Sequence, residues 1–305
     1  MTQISRRKFT VMAGAAEGML AAHRGLAAPT KLAAGIQLYM VGKPFAEDPA
    51  GTLQALHKIG YREVETSVSP KLSAKDQKKL FDDAGVTCPS MHLQFMAGTM
   101  EAGFEDAHAL GAHYVVSSVL REFPPEIIKA FSSGGPMPEL PPMGVEGFKK
   151  TAAQMNDVGK KAKAAGLQYA YHNHNFEFEK MPDGTPGYDI LLKESDPELV
   201  KFELDCGWMS VAGYDPVAYF KKHPGRFRML HIKDFTADSR PTIDLTGPKR
   251  PKGADLGTGF VDYAPIFAAA KSAGIEHVFA EQEAPFAVSQ MESAKVDYAY
   301  MHKFV

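Results

Sequence analysis

The chain has 305 residues, of which 45% are apolar and 23% charged, with a net charge of -2 at pH 7. That length suits one barrel-sized domain or two smaller ones, and the apolar fraction suffices for a large core. No basic excess points to nucleic acid, and no acidic tail points to a solvating segment.

The first segment reads as an address. Ser5-Arg6-Arg7-Lys8-Phe9 is a twin-arginine pattern, followed by a small-residue and apolar run from Thr10 to Ala22 and by small residues up to Ala28. Residues 1–28 are therefore expected to be a twin-arginine-type signal segment that directs the mature chain to the periplasm. The alternative is a cytoplasmic chain with a disordered or amphipathic N-terminal helix. The apolar run is too short to span a bilayer, so no stable membrane insertion is expected after cleavage.

From Pro29 onward, short β-type runs alternate with helical stretches, which predicts βαβ units and a parallel sheet. Strand one is expected over Gly35–Tyr39 with a helix over Pro49–Ile59, and strand two over Glu63–Thr66 with a helix over Ala74–Ala84. Strand three covers Thr87–His92 with a helix over Glu101–Leu110. Strand four covers Tyr114–Ser117, followed by a long helix over Val145–Ala165. Strand five covers Gln168–His172 with a short helix over Tyr188–Glu194, and strand six covers Val200–Asp205 with a helix over Pro216–His223. Strand seven covers Met229–Lys233 with a helix over Tyr263–Ala273. Strand eight covers His277–Gln282, and a last helix covers Ala287–Phe304. Gly60, Gly85, Gly111, Gly166 and Gly274 each stand between a helix and the next strand, the position where a helix C-cap needs a left-handed residue. Eight such units close as a single-domain (β/α)8 TIM barrel over residues 29–305. An open doubly wound sheet is the alternative, and no GxGxxG follows strand one to support it.

Cys88 and Cys206 lack CxxC spacing and sit at predicted strand ends, so they read as small core residues rather than a zinc or redox pair. Two long stretches, Arg121–Met143 and Phe235–Gly259, follow strands four and seven. They lie on the C-terminal face, where such loops are binding loops or lids. A solvated insertion or a contact within a homo-oligomer is the other reading.

That face also collects the polar strand ends, which in a barrel build the active site. They are Glu65, His92, His172 and His174, Asp205, His231 and Lys233, and Glu281 and Glu283. Alternation along strand five puts His172 and His174 on one side, toward the mouth, and Tyr169 and Tyr171 on the other, under the helices. His172, Asp205, His231 and Glu281, from four consecutive strands, would make a nitrogen-and-oxygen set suited to Mn²⁺, Co²⁺, Fe²⁺, Zn²⁺ or Mg²⁺. The same residues without a metal would form a hydrogen-bonded polar network.

At Tyr171-His172-Asn173-His174-Asn175-Phe176-Glu177-Phe178, Glu203-Leu204-Asp205-Cys206-Gly207-Trp208, Leu230-His231-Ile232-Lys233-Asp234 and Phe279-Ala280-Glu281-Gln282-Glu283, the chain resembles the xylose-isomerase-like TIM barrel family, often called sugar phosphate isomerase/epimerase. The resemblance implies a divalent metal held by Glu, Asp, His and Glu from strands five to eight. Asp205, His231 and Glu281 match the last three, and the strand-five position holds His172, or His174 if the register shifts. A symmetric pair of glutamate bases is therefore incomplete here. The subgroup with a YHNH-type strand five also resembles proteins acting on inososes and oxidised (keto) sugars.

The implied activity is that of a metal-dependent sugar isomerase or epimerase working through an enediolate. A keto-sugar dehydratase or lyase on the same site and a non-catalytic periplasmic sugar-binding barrel are the alternatives. Either Glu281 or His174 would be the base, and Lys233 would hydrogen-bond the developing oxyanion or form a salt bridge with Asp234 or Glu203. Glu65, His92, Asn175 and Glu177 would bind hydroxyls of a carbohydrate. Trp208 would stack on a sugar face or pack in the core.

Overall fold

The computed structural model describes residues 32–67, 71–94, 99–121, 123–133, 138, 140–247 and 249–305. The expected signal segment lies outside them. Among the described residues, no helix is long and apolar enough to cross a membrane.

Eight parallel strands close into a barrel in chain order. They are β1 (Ala34–Gln37), β2 (Glu63–Thr66), β3 (Thr87–His92), β4 (Tyr114–Ser118), β5 (Gln168–His172), β6 (Val200–Asp205), β7 (Phe227–Ile232) and, after two short strands, β10 (His277–Ala280). Helices α1 (Gly42–Glu47), α2 (Pro49–Ile59), α3 (Ala74–Ala84), α4 (Met100–Leu110), α6 (Gly144–Ala164), α7 (Gly187–Glu194), α9 (Pro216–Lys222), α10 (Tyr263–Ala273) and α11 (Gln290–Met301) lie between or beyond these strands. Side chains capping their N-termini include Asp48 on α2, Ser73 on α3, Asp262 on α10 and Ser289 on α11. Gly85, Gly111 and Gly274 close α3, α4 and α10 in the left-handed conformation that the spacing required.

Several boundaries move. Strand one ends at Gln37, and Leu38–Val41 is a 3-10 turn that carries Tyr39 to the mouth. The loop after β4 contains a helix, α5 (Pro125–Ser133), and the loop after β7 contains the hairpin strands β8 (Asp234–Phe235) and β9 (Gly253–Ala254). A further short helix, α8 (Cys206–Val211), starts directly on Asp205. Both cysteines are buried and free; Cys206 opens α8 rather than ending a strand.

The alternation of each strand sorts the interior into layers. The floor is a separate apolar cluster of Tyr114, Val116, Ala170, Met229 and Phe279. The opposite faces, with Val64, Tyr169, Tyr171, Phe202 and Leu204, join the large core under the helices. There each fully buried aliphatic or aromatic side chain contributes roughly 1.5–3 kcal/mol. One polar layer up from the floor come Glu65, Ser90, His172, Glu203 and His231, all buried.

The carboxyl of Asp297 on α11 is buried beside the outer core, where its Oδ1 accepts from the Leu256 amide at 2.7 Å. Burial and the nearby Asp255 and Asp234 push it up from 3.8 to about 8. A carboxyl raised in the folded state favours folding fully below its unfolded pKa, and that contribution fades as pH rises through the folded value, here from about 4 to 8. Asp297→Asn keeps an acceptor and cannot ionise. Its melting temperature relative to wild type should therefore rise between pH 5 and pH 8, by at least about 3 °C. An equal difference at both pH values, measured by thermal unfolding, would show that Asp297 is ionised at little cost.

Candidate metal centre at the barrel mouth

Strand ends β5, β6, β7 and β10 bring His172, Asp205, His231 and Glu281 together. One ligand atom from each lies within 4.8 Å of the others. His172 Nε2 is 4.0 Å from Asp205 Oδ2, and His231 Nδ1 is 2.8 Å from Glu281 Oε2. Donors at about 2.1 Å from a shared ion stand at most about 4.2 Å apart, so these separations sit near that limit or inside it. Asp205 reaches its place because β6 ends there and α8 begins. Its Oδ1 caps α8 by accepting from the Trp208 amide at 2.8 Å. Its Oδ2 is buried with no hydrogen-bond partner. A buried carboxylate oxygen without a partner is costly. Two nitrogens and two oxygens, one of them that orphaned atom, fit a divalent metal.

A second layer lies beneath. Glu203, two residues before Asp205 and so on the same face of β6, has its Oε2 3.2 Å from His92 Nε2, 3.0 Å from His172 Nδ1 and 3.3 Å from His231 Nε2. Glu65 Oε2 accepts from Gln37 Nε2 at 2.8 Å and lies 2.7 Å from His231 Nε2 and 3.0 Å from His92 Nε2. Glu65 Oε1 accepts from Ser90 Oγ at 2.5 Å. His92, His172, Glu203 and His231 thus form a second compact group. Burial alone would lower the two imidazoles that face Glu65, yet the Glu65 and Glu203 charges raise His92 to about 10 and His231 to about 9.

The rim carries the reactive groups. Lys233 Nζ lies 2.5 Å from Glu283 and 3.4 Å from Glu281, with its charge 4.9 Å from the centre of the Trp208 ring. Its ion-pair partners are these glutamates rather than Asp234 or Glu203. Asp234 instead points away and accepts four backbone amides, from Phe235, Gly257, Gly259 and Val261, at 2.9–3.1 Å. Gly259 is required there, since a Cβ would meet Asp234 Oδ1 at 2.2 Å. Arg250 of the same loop pairs with Glu283. Burial lowers the Lys233 ammonium and raises the Glu281 carboxyl to about 8. Tyr39, which the strand pattern did not single out, donates its hydroxyl to Glu281 Oε1.

His174 stands beside the cage rather than in it. Its ring packs at 5.2 Å from His172, 5.7 Å from Trp208 and 6.2 Å from Phe176. Burial first, then the neighbouring His172 and Lys233, hold it well below the usual imidazole value, and its Nδ1 has no hydrogen-bond partner. Of the expected hydroxyl-binding residues, His92 and Glu65 both lie in the deeper layer, where their side chains are 3.0 Å apart. Asn175 and Glu177 also bond the protein, with Asn175 Oδ1 left buried and without a partner. Asn175 Nδ2 donates to the Thr242 and Asp244 carbonyls, pinning the long loop, and Glu177 accepts from Tyr171 Oη at 2.9 Å and from the His174 amide at 2.8 Å. Trp208 is buried against Phe235 and forms the wall under Lys233.

Fold and site together define a (β/α)8 barrel with a histidine-and-carboxylate cage at its C-terminal face. Residues 53–294 match the xylose isomerase-like TIM barrel family, and the chain belongs to it. Inosose dehydratase of Lacticaseibacillus casei is 28% identical over 138 residues, 42% of this chain and 44% of that protein. The alignment thus spans less than half the length of that relative. A sugar phosphate isomerase/epimerase from Parabacteroides distasonis ATCC 8503 superposes with a TM-score of 0.69 at 25% identity, over 89% of this chain and 94% of that one. The IolI protein, with a bound zinc atom, shares the fold with a TM-score of 0.64 at 16% identity, over 90% and 99% of the two chains.

Proposed function

We propose that the chain is a metal-dependent sugar isomerase or epimerase that removes a proton next to the carbonyl of a sugar or keto-sugar. The observation that carries this reading is the pairing of an orphaned Asp205 Oδ2 inside the cage with an orphaned His174 Nδ1 beside it. A divalent metal held by His172, Asp205, His231 and Glu281 would supply a Lewis acid that polarises the carbonyl. His174, kept neutral by burial, accepts the α-proton at Nδ1. Lys233 donates a hydrogen bond to the oxygen on which charge develops, from a place already fixed by Glu281, Glu283 and Trp208. Tyr39 holds Glu281 from the solvent side.

The strand-five carboxylate of a two-base epimerase is absent, since His172 stands there with one nitrogen turned to Glu203. This asymmetry favours return of the proton by the group that took it, as in an isomerase. A second reading is elimination from the same enediolate, as in a keto-sugar dehydratase. Relatives named inosose dehydratase support it, and the Lys233 ammonium would protonate a departing hydroxyl.

The deciding experiment incubates the protein with a panel of sugars and 3-keto-glycosides in heavy water, read by NMR and mass spectrometry. One carbon-bound hydrogen should exchange for deuterium, and exchange should stop when metal is stripped and resume when it is restored. Turnover that survives stripping would remove the metal from the reading. Turnover with neither exchange nor a substrate deuterium isotope effect would remove the proton abstraction.

A further inference from the structure

We propose that the buried glutamates Glu203 and Glu65 are positioning residues that choose which ring nitrogen each cage histidine presents, so that His172 ligates through Nε2 and His231 through Nδ1. This deepens the metal reading above and rests on it. Each of the two rings stands between two carboxylates, one on either side. His172 turns Nδ1 to Glu203 at 3.0 Å and Nε2 toward Asp205 at 4.0 Å. His231 turns Nε2 to Glu65 at 2.7 Å and Nδ1 to Glu281 at 2.8 Å. An imidazole that binds an ion keeps one N–H and gives up the proton at its other nitrogen, whose lone pair goes to the ion. For His231, charged between its glutamates, the ion takes the place of the outer proton. A carboxylate that takes the N–H at the inner nitrogen leaves the lone pair at the outer one.

The inner carboxylates bond the rings from a closed layer, whereas the outer set leaves one oxygen open. Glu65 is locked by Gln37 and Ser90, and Glu203 Oε2 faces three imidazole nitrogens. Both glutamates are fully buried. In the outer set, Asp205 Oδ2 has no partner, and that set opens on His174 and Lys233. The second oxygen of Glu203 also lacks a partner, and nothing in the structure accounts for it. An ion lodged instead among His92, His172, Glu203 and His231 would need the opposite nitrogens, His172 Nδ1 and His231 Nε2. The nitrogen used therefore reports where the ion sits. Partners that orient a metal-bound histidine typically change metal affinity about 10–100-fold when removed.

The test uses the full chain with ¹⁵N-labelled histidine, loaded with ¹¹³Cd²⁺, and long-range ¹H–¹⁵N spectra that distinguish Nδ1 from Nε2 by their couplings to the ring protons. One cadmium-coupled ring should bind through Nε2 and another through Nδ1. In Glu203→Gln, the Nδ1 signal of the Nε2-bound ring should shift, and cadmium affinity should fall about 10–100-fold, as in Glu65→Gln. Two rings bound through the same type of nitrogen would overturn the proposal, as would a Glu203→Gln shift on the Nε2 of an Nδ1-bound ring. The wild-type pattern decides even if a variant fails to fold. A wild-type chain that takes up no cadmium overturns the metal reading itself, and with it this one. Cadmium bound through the wrong nitrogens overturns this one alone.

Discussion

Asp205→Asn is expected to weaken binding of a divalent metal at least about 1000-fold, beyond the 10–100-fold loss of an outer-sphere partner. Asparagine is the informative replacement because Asp205 has two separate tasks. Its Oδ1 caps α8, and an amide oxygen can keep accepting from the Trp208 amide. Its Oδ2 faces the cage without a partner, and asparagine puts a neutral NH₂ there in place of a charged oxygen. The variant should therefore fold with a melting temperature close to that of the metal-stripped wild type. His231→Ala should lose the metal as well, but it also leaves Glu65 and Glu281 without the imidazole between them. A larger loss of stability should accompany it. Competition with a chelating dye measures both affinities. Wild-type affinity in Asp205→Asn would show that the orphaned oxygen is not a ligand.

His174→Ala should lower the rate of α-deuterium exchange by about 10²–10⁴-fold, the usual contribution of a positioned base. Metal content should stay at the wild-type level, because the His174 side chain lies outside the four-residue cage. Glu281→Gln removes a cage carboxylate and so should lose metal and exchange together. The comparison separates the two candidate bases. Exchange undiminished in His174→Ala, with metal in place, would assign the proton to another group.

Much of this site was legible because period-two alternation is strict once a strand is fixed. Ala170 in the floor and His172 in the polar layer share a parity, as do Met229, His231 and Lys233. The same rule reaches Glu203 from Asp205, two residues back. Its importance went unread because a charged residue inside a strand reads first as an ion-pair partner. Tyr39 could not be found that way, since the 3-10 turn at Leu38–Val41 breaks the alternation before it. Asn175 and Glu177 lie beyond the end of β5, in a short 3-10 segment and the residue before it. There sequence spacing no longer says which way a side chain points, so their bonds to the Thr242 and Asp244 carbonyls, to Tyr171 and to the His174 amide could not be read. Helix α8 escaped because Cys206–Val211 is apolar and too short for a helical period to show.

The grip of Asp234 on Phe235, Gly257, Gly259 and Val261 joins the two ends of the long loop after β7 at one carboxylate. Asn175, Val211, Trp208 and Arg250 are among the points at which the loop's middle meets the mouth. The loop is therefore a cassette on a fixed base. Interior positions outside those contacts can be varied while the strand ends that carry His231 and Glu281 keep their register. For anyone redesigning such a mouth, diversity belongs at exposed positions between residues 237 and 252, such as Ile243 and Lys249, and the clasp at Asp234 is the part to leave alone.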